Sequence, residues 1–227
     1  MTTEDGKLIS LENLGVPARS DKAIDAFTRT TEFLPQIRVY GSESSLVKES
    51  KFPMGHLGMY FAQDNIVDLG TETDALVVDW RPRASVVAGD QPISYYGKFD
   101  PETQEWTFGK EFVDVKDKAM AKAQGYLCGL EYLLWVPSAN HFGLFLMGNP
   151  TLRRESSNVK ALTGNAATFK IKLIKTTKYT WHGVQVFKCS TPLDLPDEED
   201  LIEQVEKFRN PKDSEIELAS ESTGRAR

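Results

Sequence analysis

The run from Asp74 to Ala88, DALVVDWRPRASVVA, restricts the fold of this chain more than any other segment. Its consecutive apolar residues Leu76, Val77 and Val78 are typical of a β-strand that is covered on both faces. Pro82 has no backbone N–H to donate, so it marks an edge, a bulge or the exit of the strand. The segment therefore predicts a long strand inside a sheet.

Shorter strand patterns on either side of this run complete a predominantly β domain. Leu34–Tyr40 predicts the first strand, and Gly55–Gly70 predicts a hairpin that turns at residues 63–65. Two further core strands are predicted over Tyr132–Val136 and Gly143–Met147. Many short strands with few helices favour an all-β to α+β fold, as a small, partly open β-barrel resembling the OB-fold. A β-sandwich is the alternative architecture.

A strongly basic stretch follows these strands, from Arg153 to Lys188. It holds eight basic residues and one acid, a local net charge of +7 in a chain whose formal net charge is −6. Its first predicted strand places Lys170 and Lys172 on the face opposite Phe169, Ile171 and Leu173, because side chains alternate between the two faces. The basic residues are Arg153, Arg154, Lys160, Lys170, Lys172, Lys175, Lys178 and Lys188.

The second predicted strand of the stretch adds aromatic rings to the lysines. Tyr179 and Trp181 share one face, with Lys178 and His182 opposite. Lysines beside aromatic rings on a β-ribbon suit single-stranded nucleic acid, whose phosphates pair with cations while its bases stack on rings. The alternative is an amphipathic hairpin with a solvated lysine face and core aromatics.

Two other basic patches are candidates for the same surface. Trp80 is followed by Arg81 and Arg83 at the predicted strand exit, where guanidinium groups can hold a phosphate beside a stacked base. Arg153 and Arg154 lie near a predicted helix N-terminus, which itself attracts anions. A core tryptophan with surface arginines, and a plain exposed basic pair, are the alternatives. The full set of predicted nucleic-acid contacts is Trp80, Arg81, Arg83, Arg153, Arg154, Lys160, Lys170, Lys172, Lys175, Lys178, Tyr179 and Trp181.

Charge is segregated along the chain. Residues 194–227 contain eleven acids and five bases, which leaves the body of the chain neutral. We predict a polar N-terminal arm over residues 1–32, a β-rich OB-like domain over 33–193, and an acidic, largely disordered tail over 194–227 with one helix at Glu199–Phe208. Such a tail is expected to compete for a basic groove and to recruit replication or recombination proteins.

Catalytic signatures are absent from the sequence. There is no GxxxxGK[ST], HExxH, CxxC or GxSxG motif, and the three histidines lie far apart without ligand spacing. The sequence therefore predicts no enzyme, no cofactor and no metal site. The acid pairs Asp64/Asp68 and Asp74/Asp79 leave a metal-dependent nuclease as a third hypothesis.

No apolar run is long enough to cross a membrane, and the first ten residues, MTTEDGKLIS, lack the features of a secretory signal. The two cysteines show no metal or redox spacing. These features predict a cytoplasmic protein without membrane contact, and they leave a homo-oligomer open.

Six blocks of the chain are similar to a family of uncharacterised proteins encoded by tailed bacteriophages. The blocks are KFPMGHLGM, DALVVDWRPRA, EYLLWVP, MGNPTLRRE, AATFKIKLIKTTKYTWHGV and CSTPLDLP, spread over much of residues 33–196. The lysine- and aromatic-rich ribbon also resembles the late strands of phage single-stranded DNA-binding OB domains. The resemblance implies a role in phage DNA replication or recombination, and the family offers no established catalytic residues.

The sequence thus predicts a non-enzymatic, sequence-independent single-stranded DNA-binding protein. The runner-up is a phage structural or assembly protein whose aromatic surface packs against other subunits.

Overall fold

A computed structural model describes residues 34–42, 44–62, 65–88, 91–96, 98–100, 102–103, 105–107, 126–148, 150–177 and 180–210. The predicted N-terminal arm and the last seventeen residues of the tail lie outside these ranges. The strands are β1 (Gln36–Tyr40), β2 (His56–Ala62), β3 (Asn65–Gly70), β4 (Glu72–Ala88), β5 (Gln91–Tyr96), β6 (Lys98–Asp100), β7 (Glu105–Thr107), β8 (Tyr126–Val136), β9 (His141–Met147), β10 (Ala166–Lys175) and β11 (Thr180–Lys188). The α-helices of the described residues are α1 (Ser45–Lys48), α2 (Pro150–Ala161) and α3 (Glu198–Arg209), and Pro137–Ala139 forms a 3-10 helix between β8 and β9.

One sheet contains most of these strands. Its order is β11-β10-β4-β8-β9-β1-β2-β3, and β5 pairs with the second half of β4. Neighbouring strands are antiparallel, apart from β1 and β9, which are parallel. The predicted hairpin over Gly55–Gly70 is confirmed as the β2–β3 pair, and the long strand predicted at Asp74–Ala88 is β4. β6 and β7 form a separate two-stranded sheet.

The sheet curls so that strands from its two ends share a core. This inner core includes Ile37 and Met59 from β1 and β2, together with Phe169 and Val184 from β10 and β11. The ring of His182 on β11 lies against Gly55, just before β2: a Cβ on Gly55 would lie 2.8 Å from the ring Nε2. The expectation of a mostly β, barrel-like fold is confirmed, as a curled half-barrel of eight strands with few helices.

Helix α2 packs on the inner side of the half-barrel. Pro150 at its first position suits a helix start, because the missing N–H has no intrahelical acceptor there. Leu152, Ser156 and Val159 repeat at helical spacing and are buried. The hydroxyl of Tyr132 on β8 donates to the Ser156 carbonyl, and burial raises the pKa of Tyr132 to about 12 despite its hydrogen bond with Ser156.

Helix α3 packs on the opposite, outer side of the sheet. Its first turn is acidic and its last turn is basic, which complements the helix dipole. Together with strands β4, β8 and β9 the helix forms an outer core, and the indole N–H of Trp135 donates to the Asp194 carbonyl over 2.8 Å. The outer core consists of Leu76, Val78, Leu133, Trp135, Phe142, Leu201, Val205 and Phe208.

The docking of α3 corrects the predicted division of the chain. The helix itself was predicted to within a residue at each end. A boundary after residue 193, however, separates the sheet from a helix whose Leu201, Val205 and Phe208 are buried against it. Residues 194–210 are therefore part of the folded domain and not a detached tail.

Candidate nucleic-acid interface

The β10–β11 hairpin presents two different faces. Phe169 on β10 and its register partner Val186 on β11 are buried in the inner core. Lys170 and Lys172 lie on the other face and are exposed, as the alternation in the sequence predicted. Leu173 shares the inner face but lies near the hairpin end, where 46% of it is exposed.

The outer face of the hairpin combines cations on β10 with rings on β11. The strand register places Trp181 opposite Ile174, and Phe187 opposite Thr168, on the same face as the two lysines. Phe187 is 45% exposed. Trp181 is half-buried, and its indole N–H is buried without a hydrogen-bond acceptor among the described residues. The predicted juxtaposition of Lys170, Lys172 and Trp181 on one exposed sheet face is present.

The lysines of β10 differ in their electrostatic surroundings. Lys170 Nζ lies 2.6 Å from Oε2 of Glu72, its register partner on β4. Lys172 and Lys175 are exposed, and neither forms an ion pair with another residue that the structure describes. Lys178 and Tyr179, which were predicted to extend this surface, lie outside the described residues.

A second group of predicted contacts lies on helix α2, on the inner side of the sheet. Arg153, Arg154 and Lys160 are exposed, and Lys160 Nζ lies 3.8 Å from the ring centroid of Trp80. The Glu155 carboxylate accepts a 3.4 Å hydrogen bond from the backbone N–H of Val186, which ties the helix to β11. The predicted site residues therefore divide between two sides of the sheet, with β11 between them.

Arg81 and Arg83 are buried, not exposed as the sequence analysis placed them, and both bind Glu131 on β8. Arg81 Nε lies 2.8 Å from Oε2 of Glu131, and its Nη1 donates to the Phe208 carbonyl of α3 over 2.7 Å. The guanidinium also stacks on the Phe208 ring, 4.3 Å from its centroid. These two arginines consequently belong to the interior and not to a basic surface.

A β-bulge explains this placement. Val77 pairs with Leu134 and Asp79 with Leu133, so Val78 is an extra residue in β4. The extra residue shifts the alternation that follows, so that Asp79 and Arg81 face α3 while Trp80 faces α2. A sequence signal for the buried arginines did exist: Glu131 is an acid within an apolar strand, and a buried charge needs a partner.

The buried acids of this network have shifted pKa values in opposite directions. Burial disfavours the charged form of Glu131, but the charges of Arg83 and Arg81 and their hydrogen bonds outweigh it and hold its pKa below the usual range. Burial raises the pKa of Asp79, and the attraction of Arg209, whose Nε lies 2.6 Å from Oδ2, offsets only part of that shift.

The acids considered for a nuclease site have other partners. Asp68 accepts from the His56 ring over 2.9 Å and from the Gly70 backbone N–H over 2.8 Å. Asp74 accepts from the Thr168 hydroxyl over 2.5 Å. Asp64 lies outside the described residues. No group of three or more histidine, cysteine or acidic side chains in the described ranges is arranged to hold a metal ion.

The chain matches no protein-family model, and no significant match was found among curated proteins or solved structures. Among the helices that the structure describes, none is both long and apolar enough to span a membrane.

Proposed function

We propose that this protein binds single-stranded DNA through the outer face of the β10–β11 hairpin, without catalysis and without sequence preference. The observation that carries the proposal is the placement of Lys170 and Lys172 beside Trp181 and Phe187 on one exposed sheet face. A sequence-independent site needs a positive track for the phosphates and flat rings for the bases, and this face offers both.

The geometry suggests how a strand of DNA would lie. Lys170 and Lys172 point the same way from β10 and would follow the sugar–phosphate backbone. Trp181 and Phe187, on the neighbouring strand, would stack on bases. Lys175, two residues after Leu173, is exposed on the inner side at the end of β10 and therefore lies off this track. The DNA would therefore run along the hairpin axis.

The buried Arg81 and Arg83 are not part of this footprint. Arg153, Arg154 and Lys160 on α2 would contribute a secondary basic surface, which a longer strand could reach by passing over the β11 edge. OB domains also bind oligonucleotides across one face of a curled sheet, but they have five strands. The proposal adopts this OB-like mode of binding, together with a role in phage replication or recombination, and it does not require the five-stranded OB topology.

Quenching of tryptophan fluorescence by oligo-dT at several salt concentrations tests the proposal. For single strands, the slope of log affinity against log salt is about −0.7 per phosphate contact. Lys170→Gln/Lys172→Gln should weaken binding and reduce the magnitude of that slope by at least about 0.7, the contribution of one phosphate contact. Trp181→Ala should cost about 1–3 kcal/mol of binding free energy.

A matched control separates a specific site from a general charge effect. Lys51→Gln/Lys207→Gln removes the same charge from two exposed positions that are not part of the hairpin, one before β2 and one on α3. We expect this pair to leave the affinity for oligo-dT nearly unchanged. Equal losses in the two double variants, or no binding of the unmodified protein at low salt, would refute the proposed site.

An assembly role is the second candidate, and the exposed apolar residues of the hairpin favour it. Phe187 on the outer face is 45% exposed and Leu173 at the other end of the inner face is 46% exposed, so a protein–protein contact on either face would cover one of them. Light scattering after size exclusion distinguishes the two functions. A large, stable assembly without DNA that Phe187→Ser disperses would favour the assembly role.

A further inference from the structure

A carboxylate stands beside the proposed phosphate track. Glu72 is in register with Lys170, and the two side chains form an ion pair of 2.6 Å on the outer face of the sheet. About half of each side chain remains exposed, 56% for Lys170 and 49% for Glu72. The pair is therefore open to a competing anion from solvent.

The pairing between β4 and β10 determines which lysines of β10 have an acidic neighbour on β4. The register between the two strands ends at Glu72 and Lys170, so no residue of β4 stands opposite Lys172. Lys172 and Lys175 form no ion pair among the described residues, whereas Lys170 is already neutralised by its partner. Adjacent lysines on one strand thus differ in their readiness to accept a phosphate.

We propose that the Glu72 carboxylate competes with the phosphate backbone for Lys170. This competition weakens DNA binding at Lys170 and keeps the DNA from extending over β4. The inference rests on the proposed function. A phosphate that approaches Lys170 must displace the Glu72 carboxylate and then remain close to it. The first effect is the attraction between Glu72 and Lys170, and the second is the repulsion between Glu72 and the phosphate. Both require the charge of Glu72, so its removal eliminates both.

The test compares Glu72→Gln with Glu49→Gln. Glu49 is a matched control, since it forms an exposed ion pair with Lys51 at 2.8 Å and its side chain is 54% exposed. Labelled oligo-dT is titrated into each protein by fluorescence anisotropy over a range of salt. Glu72→Gln should bind roughly two- to fivefold more tightly at low salt, the effect of removing one charge about 6 Å from a phosphate. Its salt slope should steepen by about 0.7.

A third variant ties the gain to Lys170. In the Lys170→Gln background, Glu72→Gln should give a smaller gain than in the unmodified protein, because only the repulsion between Glu72 and the phosphates remains to be relieved. An equal gain in the two backgrounds, or equal affinities of Glu72→Gln and Glu49→Gln, would overturn this inference while leaving DNA binding itself intact. Absence of oligo-dT binding by all of the proteins, including the unmodified one, would overturn the function and the inference together.

Discussion

Arg81 on β4 binds Glu131 on β8 through both its Nε, at 2.8 Å, and its Nη2, at 2.7 Å, in the interior of the protein. Because Nη1 donates to the Phe208 carbonyl, the same guanidinium also binds the C-terminal end of helix α3. A cation at that end of a helix is favoured by the exposed carbonyls and the helix dipole. One side chain therefore connects two strands and a helix.

Replacement of Glu131 should destabilise the fold strongly. Glu131→Gln leaves the guanidinium groups of Arg81 and Arg83 buried without their counter-charge, a change that typically costs about 3–5 kcal/mol. The free energy of unfolding, measured by urea titration with circular dichroism, should fall by this amount. Glu49→Gln, in an exposed pair, should change it by less than about 1 kcal/mol. Similar losses in both variants would contradict the buried network.

The pH dependence of stability should distinguish the two buried acids. The pKa of Glu131 is lowered in the folded protein, so its ionisation stabilises the fold above the ordinary pKa of 4.5, and this contribution is lost as the pH falls through the lowered value. The pKa of Asp79 is raised, so its contribution is fully present below the ordinary value of 3.8 and is lost as the pH rises through the raised value.

Opposite trends follow for the neutral variants. The stability deficit of Glu131→Gln should be greatest at neutral pH and should shrink in acid. The stability deficit of Asp79→Asn should be larger below pH 3.8 than at neutral pH. Below pH 3.8 Asp79 of the wild-type protein is protonated, so the wild-type protein buries no charge at this position and is at its most stable relative to the variant. Urea titrations of the three proteins between about pH 3 and 7 provide the measurement. Parallel curves for the two variants would exclude the opposing shifts.

Much of the local structure could be predicted from the alternation of side chains. The hairpin faces at Phe169, Lys170 and Lys172 follow from a period of two, and Leu201, Val205 and Phe208 have the spacing of one helix face. Such patterns specify which side chains share a face. They do not specify what packs against that face.

The tertiary placement of Arg81 and of helix α3 could not be predicted for that reason. A bulge at Val78 adds one residue to β4 and shifts every later side chain to the opposite face, and the local sequence around Val78 contains no signal for it. The acidic composition around α3 indicated a solvated tail. The three buried apolar residues of that helix outweigh its exposed acids, since each stabilises the fold by about 1.5–3 kcal/mol on burial.

Truncation of the anchoring ring of α3 should release the helix. Phe208 is 2% exposed and contacts Arg81, so Phe208→Ala should cost about 3–5 kcal/mol of unfolding free energy. Leu195→Ala, at a 40% exposed position in the segment before the helix, should change it by less than about 0.5 kcal/mol. In Phe208→Ala, hydrogen exchange should show that the backbone amides of α3 lose protection before those of the sheet. A stability equal to that of Leu195→Ala would show that the helix does not depend on this contact.

The closure of the half-barrel can be tested at Gly55 and His182. Gly55 has a φ of +78°, and an added Cβ would lie 2.8 Å from Nε2 of His182. Gly55→Ala should therefore destabilise the protein through backbone strain of about 1–2 kcal/mol and through a steric clash. His182→Ala relieves the clash but not the strain, so the double variant should be more stable than the sum of the single changes by at least about 0.5 kcal/mol. Gly41→Ala, where no atom lies within 4 Å of the added Cβ, is the matched control. Strict additivity between positions 55 and 182 would mean that β11 does not approach the start of β2. That result would contradict the curling of the sheet, on which the position of the β10–β11 hairpin depends.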